Sequence, residues 1–381
     1  MHSDHLILEA CGRVLDPDGT ILRDHVRKPD RRTQQYLERF DRTTLYYDCV
    51  YLAERRSYLF TAPRFLNLWG PFRQGLRVNG KKTRAVTRRK WLRCEQVEVH
   101  APRGSLTLHW QGKTAPVAFR DGISDCFAGL NCLVAVNKNN RLDWIADWAA
   151  YYAQTHGAEG VVLFDNGSTD YTLADLNARL SQVPGLARSA VISAPYPYGP
   201  TDRSRKWEVS PRFFQTAMLN IGRRDPLARA RAVLSVDIDE IARKAEDAPS
   251  IFDLAVGNVV GMATLNGVWV YPNPDTDGPV GHTAHGFRRS PDRPCNRKWC
   301  LRPGGVQDRF GWAVHHIGGP LQDLFTNQTQ VSLLHCRGTS TGWKRNRFTD
   351  PGELLEDPEL ENFWSMQFPK PAAGSAAGFG P

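Results

Sequence analysis

From about residue 128 the chain alternates short apolar runs with amphipathic segments, and this alternation restricts the fold more than any other feature. Residues 130–136, 160–164, 190–193 and 232–236 read as strands buried on both faces. After the first of them, Leu142, Ile145, Trp148, Ala149 and Tyr152 recur three and four apart, the spacing of one helical face, and Gly157 supplies a C-terminal stop. The second run is followed by Asp165-Asn166-Gly167-Ser168-Thr169-Asp170, in which Ser168, Thr169 or Asp170 can cap a helix over residues 173–180. A further helix is expected over residues 210–221. Strand and helix in alternation predict an α/β fold, a mostly parallel sheet with helices on both faces. Ligands of such sheets bind outside the carboxyl ends of the strands. Asn137, Asp165 and Asp237 fall at three of those ends, so they are expected to share one cleft.

Residues 1–127 have a different texture. Period-two runs at 44–52, 75–81, 96–100 and 105–110, separated by turn residues, predict a small, mainly β N-terminal region. Within it Lys81, Lys82, Arg84, Arg88, Arg89, Lys90 and Arg93 read first as a solvated strand and loop. The alternative is a contact for an acidic acceptor or an anionic membrane surface. The net charge of +9 favours anionic partners without choosing among them. No stretch approaches the roughly 20 apolar residues that span a bilayer. The N-terminus, with Asp4 and Glu9, lacks a secretory pattern, so a cytoplasmic location is expected, with peripheral membrane contact allowed. The eight cysteines form no Cys-x-x-Cys pair and read as free thiols. Residues 128–350 are expected to form the α/β domain and 351–381 a C-terminal extension, disordered over its Pro-, Ala- and Gly-rich end. Residues 272–293, rich in Pro, Gly and Asp, read as a long loop beside the acceptor.

The apolar run at 232–236 leads into Asp237-Ile238-Asp239-Glu240. Two carboxylates two residues apart in extended chain point the same way and can share a hard cation. Mg²⁺ and Mn²⁺ take few protein oxygens and complete their shell with water and substrate phosphates. An Asp-x-Asp after a strand is equally the start of a solvated turn, and alone it decides nothing.

Further strings occur in a fixed order: Asn137-Lys138-Asn139-Asn140 before Trp144 and Trp148, Phe164 to Asp170, Ser235 to Glu240, Arg297-Lys298-Trp299 with Arg302-Pro303, Val314-His315-His316, and Leu334-His335-Cys336-Arg337 with Ser340 and Trp343. With these the chain resembles GT-A type nucleotide-sugar glycosyltransferases, of the family 92-like and family 2-like group, over about residues 130–348. The resemblance implies a Rossmann-like GT-A domain that moves a sugar from a nucleotide-diphosphate donor to a glycan or lipid-linked acceptor, in surface polysaccharide synthesis. It implies Mn²⁺ or Mg²⁺ on Asp237, Asp239 and His335, and donor contacts at Asn137, Asp165, Asp170 and Lys298. Asp165 reads also as an Asx turn and Asp170 first as a helix cap. Glu240 reads as the start of the next segment before it reads as a catalytic group. An inverting enzyme also needs a base near the acceptor hydroxyl, and Asp308, His315 and His316 are the candidates. Trp299 and Trp312 read as core before they read as sugar platforms. The run Trp343-Lys344-Arg345-Asn346-Arg347 either closes over a diphosphate, binds an acidic acceptor or is a solvated face.

Two other classes stand beside this. A nucleotidyl-transfer enzyme on a similar sheet usually carries a Gly-rich phosphate loop, and residues 137–140 have no glycine. A basic glycan- or nucleic-acid-binding protein on a degenerate GT-A domain is the alternative function. Nucleic acid is not the expected partner, because the basic residues are scattered and the acidic pair repels a phosphate backbone.

Overall fold

The computed structural model describes residues 4–202, 208–343, 347–348 and 351–368. Ten strands in two sheets position the candidate site: β1 (His5–Glu9), β2 (Asn131–Asn137), β3 (Gly160–Asp165), β4 (Arg188–Ser193), β5 (Ala232–Ser235), β6 (Glu240–Lys244), β7 (Met262–Leu265), β8 (Gly267–Val270), β9 (Lys298–Leu301) and β10 (Val331–Cys336). The larger sheet runs β1-β4-β3-β2-β5-β9-β7. Its first five strands are parallel, and β9 is antiparallel between β5 and β7. The strand order reverses beside β2: the chain moves to β3 and β4 on one side, then returns to β5 on the other. Such a switch point opens a crevice at the carboxyl ends of the two strands. The smaller sheet runs β6-β10-β8.

Alternation sorts the side chains of the larger sheet onto two faces. Leu133, Leu163 and Leu234 pack with Trp148 and Tyr152 of α1 (Leu142–His156), Leu176 and Leu180 of α2 (Leu173–Ser181) and Phe252 of the short helix Ile251–Gly257. Val134, Phe164 and Val233 face the other way, against Phe214, Met218 and Ile221 of α3 (Phe214–Arg224). Tyr36, Phe40 and Tyr47 share that second face, so the N-terminal region covers part of the sheet. The core residues Trp299 and Trp312 meet there edge to face at 5.2 Å.

Two helix ends show why local rules succeed or fail. Gly157, at φ 70°, ends α1 as expected, its amide donating to the Ala153 and Tyr152 carbonyls. The cap of α2 is Thr172, not Ser168, Thr169 or Asp170. Its hydroxyl accepts from the Asp175 amide while the Asp175 carboxylate takes the Thr172 N–H, a capping box. Two of the expected caps are held toward the preceding loops instead, Thr169 by Asn139 and Ser168 by Asp165, and Asp170 is exposed. The next helix begins at Phe214, four residues later than expected.

The N-terminal region is mainly β, with a five-stranded and a three-stranded sheet around Tyr46, Tyr58, Phe60, Phe72 and Leu108. The expected boundary at residue 127 is crossed in three places. The edge strand β1 belongs to the larger sheet. The aromatic residues at 36, 40 and 47 enter its core. Arg120 bonds the buried carboxylates of Asp48 at 2.8 Å and Asp225 at 2.6 Å, one on each side of the boundary. The basic stretch contains the strand Val86–Lys90, in which Arg88 pairs with Glu95 and lies 4.1 Å from the Trp69 ring. Arg89 and Lys90 are exposed. All eight cysteines are free, and no described helix is long and apolar enough to cross a membrane. The expected disorder of residues 369–381 lies outside the described residues, as do Lys344, Arg345 and Asn346.

Glu98 ties the N-terminal sheet to α3 through Arg224 at 3.2 Å, and it also holds Arg55 at 2.7 Å and Ser57 Oγ at 2.8 Å. Burial alone raises its pKa, but these donors outweigh burial and bring it down to about 2, from 4.5. A depressed carboxyl stabilises the fold above its unfolded pKa, and that stability is lost as pH falls through the folded value. Glu98→Gln is therefore expected to lower stability at pH 7 by on the order of 2 kcal/mol, with partial exposure of Arg55 discounted. Thermal melts should show the gap to wild type closing between about pH 4.5 and about pH 2. A constant gap would exclude the ionised carboxylate as the cause.

Candidate functional site

The acidic string is a turn, not an extended strand end. After β5 stops at Ser235, the Glu240 amide donates to the Asp237 carbonyl at 3.1 Å. That turn removes the alternation on which a shared orientation of Asp237 and Asp239 depended. Asp237 turns toward Gln215 Nε2 at 3.4 Å and Lys298 Nζ at 3.0 Å. Asp239 turns toward His335 Nε2 at 3.2 Å and forms an ion pair with Arg347. Glu240 is the carboxylate between the two groups. Its Oε2 accepts the Asp237 amide at 2.7 Å and stands 2.9 Å from Lys298 Nζ, while Oε1 is 3.5 Å from His335 Nδ1.

Register explains the convergence. The strand β9 is antiparallel and starts at the carboxyl end of β5, with Trp299 opposite Ser235, which brings Lys298 to the turn. In the smaller sheet Glu240 and Trp269 both lie opposite His335. The Trp269 ring stacks on His335 at 3.7 Å between centroids. Tyr152 of α1 locks the start of β6, donating to the Glu240 carbonyl at 3.0 Å and accepting the Ala242 amide at 2.9 Å. Two buried histidines brace the turn from the other side. His282 Nε2 is 2.7 Å from the Ile238 carbonyl, and His285 Nδ1 is 3.0 Å from the His282 carbonyl. The Gly338 amide donates to His285 Nε2 at 2.8 Å, and burial lowers the His285 pKa to about 3, so the ring is neutral.

Five charged groups thus meet in a largely dry place. Burial pushes the Glu240 carboxyl up in pKa, against the pull of Lys298. Burial alone lowers the Lys298 ammonium, but Asp237 and Glu240 outweigh it and hold its pKa above the ordinary value. Lys298 was expected to neutralise a donor phosphate. It is 1 % exposed and spans two carboxylates, so its charge is already committed.

Asp239, Glu240 and His335 each offer a ligand atom, all within 4.8 Å of one another. His335 Nδ1 is buried and hydrogen-bonds to no described residue. Two carboxylates with an imidazole suit Mn²⁺ better than Mg²⁺, which prefers an all-oxygen shell. The residues therefore fit a divalent cation, with Glu240 in the place expected for Asp237. A narrow cleft opens beside them, lined among others by Val136, Asn140, Asp237, Asp239, Ser340 and Trp343.

The other expected site residues separate. Asn137 and Asp165 are buried and engage each other at 2.8 Å. Asp165 also accepts the Ser168 amide at 2.8 Å and hydroxyl at 2.6 Å, so it orders the loop as an Asx turn does. Asp170 is exposed on that loop. Asp308 is fixed by Arg223 at 3.0 Å and Trp312 Nε1 at 2.8 Å. It follows the far end of β9, away from the acidic turn, because that strand runs antiparallel. His316 is exposed beside Arg297 and Asp323. His315 lies near Lys298, with Nδ1 3.0 Å from the Arg297 carbonyl, but burial first and Lys298 second lower its pKa to about 3. A base that weak takes a proton poorly at neutral pH.

Arg347, Trp269 and the histidine brace escaped the sequence reading as individual residues. Arg347 was read only within a basic run, Trp269 reaches the turn through its register with His335, and the histidines lie in and just after a short helical turn packed against it. No protein-family model matches the chain, and no curated protein matches it.

Proposed function

We propose that the chain is a glycosyltransferase of GT-A type that takes a nucleotide-diphosphate sugar and transfers the sugar to a glycan or lipid-linked acceptor. The observation that carries this reading is the meeting of Asp239, Glu240 and His335 beside a cleft at the carboxyl ends of β2 and β5. A switch point of a doubly wound sheet is where such folds bind nucleotides. A divalent cation held there supplies the positive charge that a departing diphosphate needs. The chain's own residues orient and enclose: Lys298 pairs with Asp237 and Glu240, His282 fixes the turn, and Arg347 walls the cleft. The Rossmann-like assignment, a cytoplasmic location and a role in surface polysaccharide synthesis belong to the same proposal.

The test is a thermal-shift screen with UDP- and GDP-sugars, and a CMP-sugar as the single-phosphate comparison, with and without Mn²⁺, followed by release of nucleoside diphosphate from the UDP- or GDP-sugar. Stabilisation by one donor only when Mn²⁺ is present supports the transferase. Arg347→Ala is expected to tighten apparent Mn²⁺ binding by about tenfold, because a competing cation leaves Asp239. An unchanged Mn²⁺ titration would remove Arg347 as a competitor.

One observation favours the second reading, a glycan- or nucleic-acid-binding protein on a degenerate transferase domain: Lys298 and Arg347 already pair with the carboxylates. That reading requires sugar or nucleic-acid binding indifferent to Mn²⁺.

A further inference from the structure

The hairpin between the strand Val86–Lys90 and the strand Cys94–His100 turns at Trp91, Leu92 and Arg93. The Trp91 amide donates to the Cys94 carbonyl at 2.9 Å and closes it. The Trp91 side chain is pinned inward. Its Nε1 donates to Gln96 Oε1 at 3.1 Å, and the Arg223 guanidinium lies 5.1 Å from its ring centroid. Leu92, beside it, is left 67 % exposed. A second loop reaches the same place. Gly311, at φ 74°, packs so closely on Trp91 that a Cβ there would fall 2.6 Å from the ring. Its neighbour Phe310 is 46 % exposed, and so to a similar degree is Val306, at the start of the same short helical turn. Single exposed apolar residues are ordinary on a soluble surface. Here three come from two loops that Trp91 joins.

The charge around this tip is an independent observation, and it has one sign. Residues 81–93 hold seven Lys and Arg and no acid. Arg89, Lys90 and Arg309 are exposed, and none of the three has an ion-pair partner among the described residues. The acids of the adjoining segments are engaged elsewhere. Glu95 holds Arg64 at 3.1 Å and Arg88 at 2.6 Å, while Asp308 holds Arg223 at 3.0 Å and Trp312 Nε1 at 2.8 Å. The strand Val86–Lys90 is the edge of its sheet, so its bases meet solvent rather than another strand. Bases on an edge strand also deter pairing with another chain. That role accounts for Arg89 and Lys90, but not for a leucine left out just beyond them.

We propose that Leu92 and Phe310, together with Arg89, Lys90 and Arg309, form a docking surface for an anionic lipid bilayer. The apolar side chains enter the head-group region, and the bases take the lipids' phosphates and carboxylates. Nucleic acid would use the bases and leave the leucine without a role. The surface includes no residue of the acidic turn, so it stands or falls apart from the transferase reading.

Co-sedimentation with vesicles of phosphatidylcholine alone, and of phosphatidylcholine with about 30 % phosphatidylserine, tests it. Wild-type protein is expected to bind the anionic vesicles at least about tenfold more tightly than the neutral ones, and to lose that margin in about 0.5 M salt. Leu92→Ser should weaken binding to the anionic vesicles by about tenfold, and Lys90→Gln by about fivefold. Arg179→Gln is the control of equal charge. Arg179 is exposed on α2, which packs on the opposite face of the larger sheet from Cys94 and the hairpin, and its loss should change nothing. All three side chains are exposed, and thermal melts check that each variant is folded. Equal binding to both vesicles, absence of binding, or a loss in Leu92→Ser or Lys90→Gln no larger than in Arg179→Gln overturns the surface. So does tight binding of a single-stranded oligonucleotide, weakened by Lys90→Gln but not by Leu92→Ser, in place of vesicle binding.

Discussion

Asp239→Asn should lose the Mn²⁺-dependent stabilisation by nucleotide diphosphate, and sugar transfer should fall by about 10²–10³-fold. The substitution keeps the side chain's volume and removes one negative charge from the point where His335 and Arg347 converge. The turn itself does not depend on that charge. Its backbone is held by the Asp239 carbonyl accepting from the Cys336 amide at 2.8 Å and by the Glu240 amide bond to Asp237. Arg347 keeps a place over the Trp269 ring at 5.3 Å, so its charge is not stranded. The melting temperature without ion should therefore stay close to that of wild type. Asp237→Asn is expected to do less, because Lys298 already occupies that carboxylate at 3.0 Å. Released nucleotide diphosphate and an ion-titrated melt measure both effects. Wild-type turnover in Asp239→Asn would dismiss the carboxylate from any part in catalysis.

The contrast between the two aspartates marks where sequence reasoning ended. The larger sheet was readable because β2 to β5 each carry a buried apolar run and α1 shows its packed face at helical spacing. Gly157 and the strand end at Asn137 were readable from local chemistry alone. The edge strand β1 was not, since its pairing with β4 spans more than 180 residues and nothing in His5–Glu9 marks a partner. The strand Ser57–Pro63 was missed for a related reason: it is buried along its whole length and shows no alternation. At the site, position within the chain located the acidic string and His335, but the turn at Asp237 decided which side chain faces which. Glu240 gained its place through its register with His335, and Lys298 lost its expected one through burial between two acids. Asp165 could be read either as an Asx turn or as a donor contact, and the structure shows the turn geometry.

Lys298→Met is the substitution expected to unsettle the fold most. A buried ion pair contributes little net stability compared with apolar packing, but removing one partner strands the other. Here one ammonium serves two carboxylates, at 3.0 and 2.9 Å, and Glu240 is fully buried. The loss is expected to be about 3–5 kcal/mol, a fall in melting temperature on the order of 5–10 °C. Three further measurements separate charge from packing. Burial already raises the Glu240 carboxyl, and losing Lys298 raises it further, so the folded variant takes up a proton more readily than the unfolded chain. A raised carboxyl favours the fold at low pH and loses that advantage as pH rises, so the gap to wild type should narrow as pH falls toward the ordinary carboxyl value of 4.5. Lys298→Met/Glu240→Gln should recover most of the loss, because it no longer buries an unpaired charge at position 240. Mn²⁺ should stabilise Lys298→Met more than wild type, since the cation then replaces the missing ammonium near Glu240. If the double variant is as unstable as the single one and Mn²⁺ does nothing, the effect of Lys298 is packing, and the acidic turn needs no cation of either kind to hold its shape.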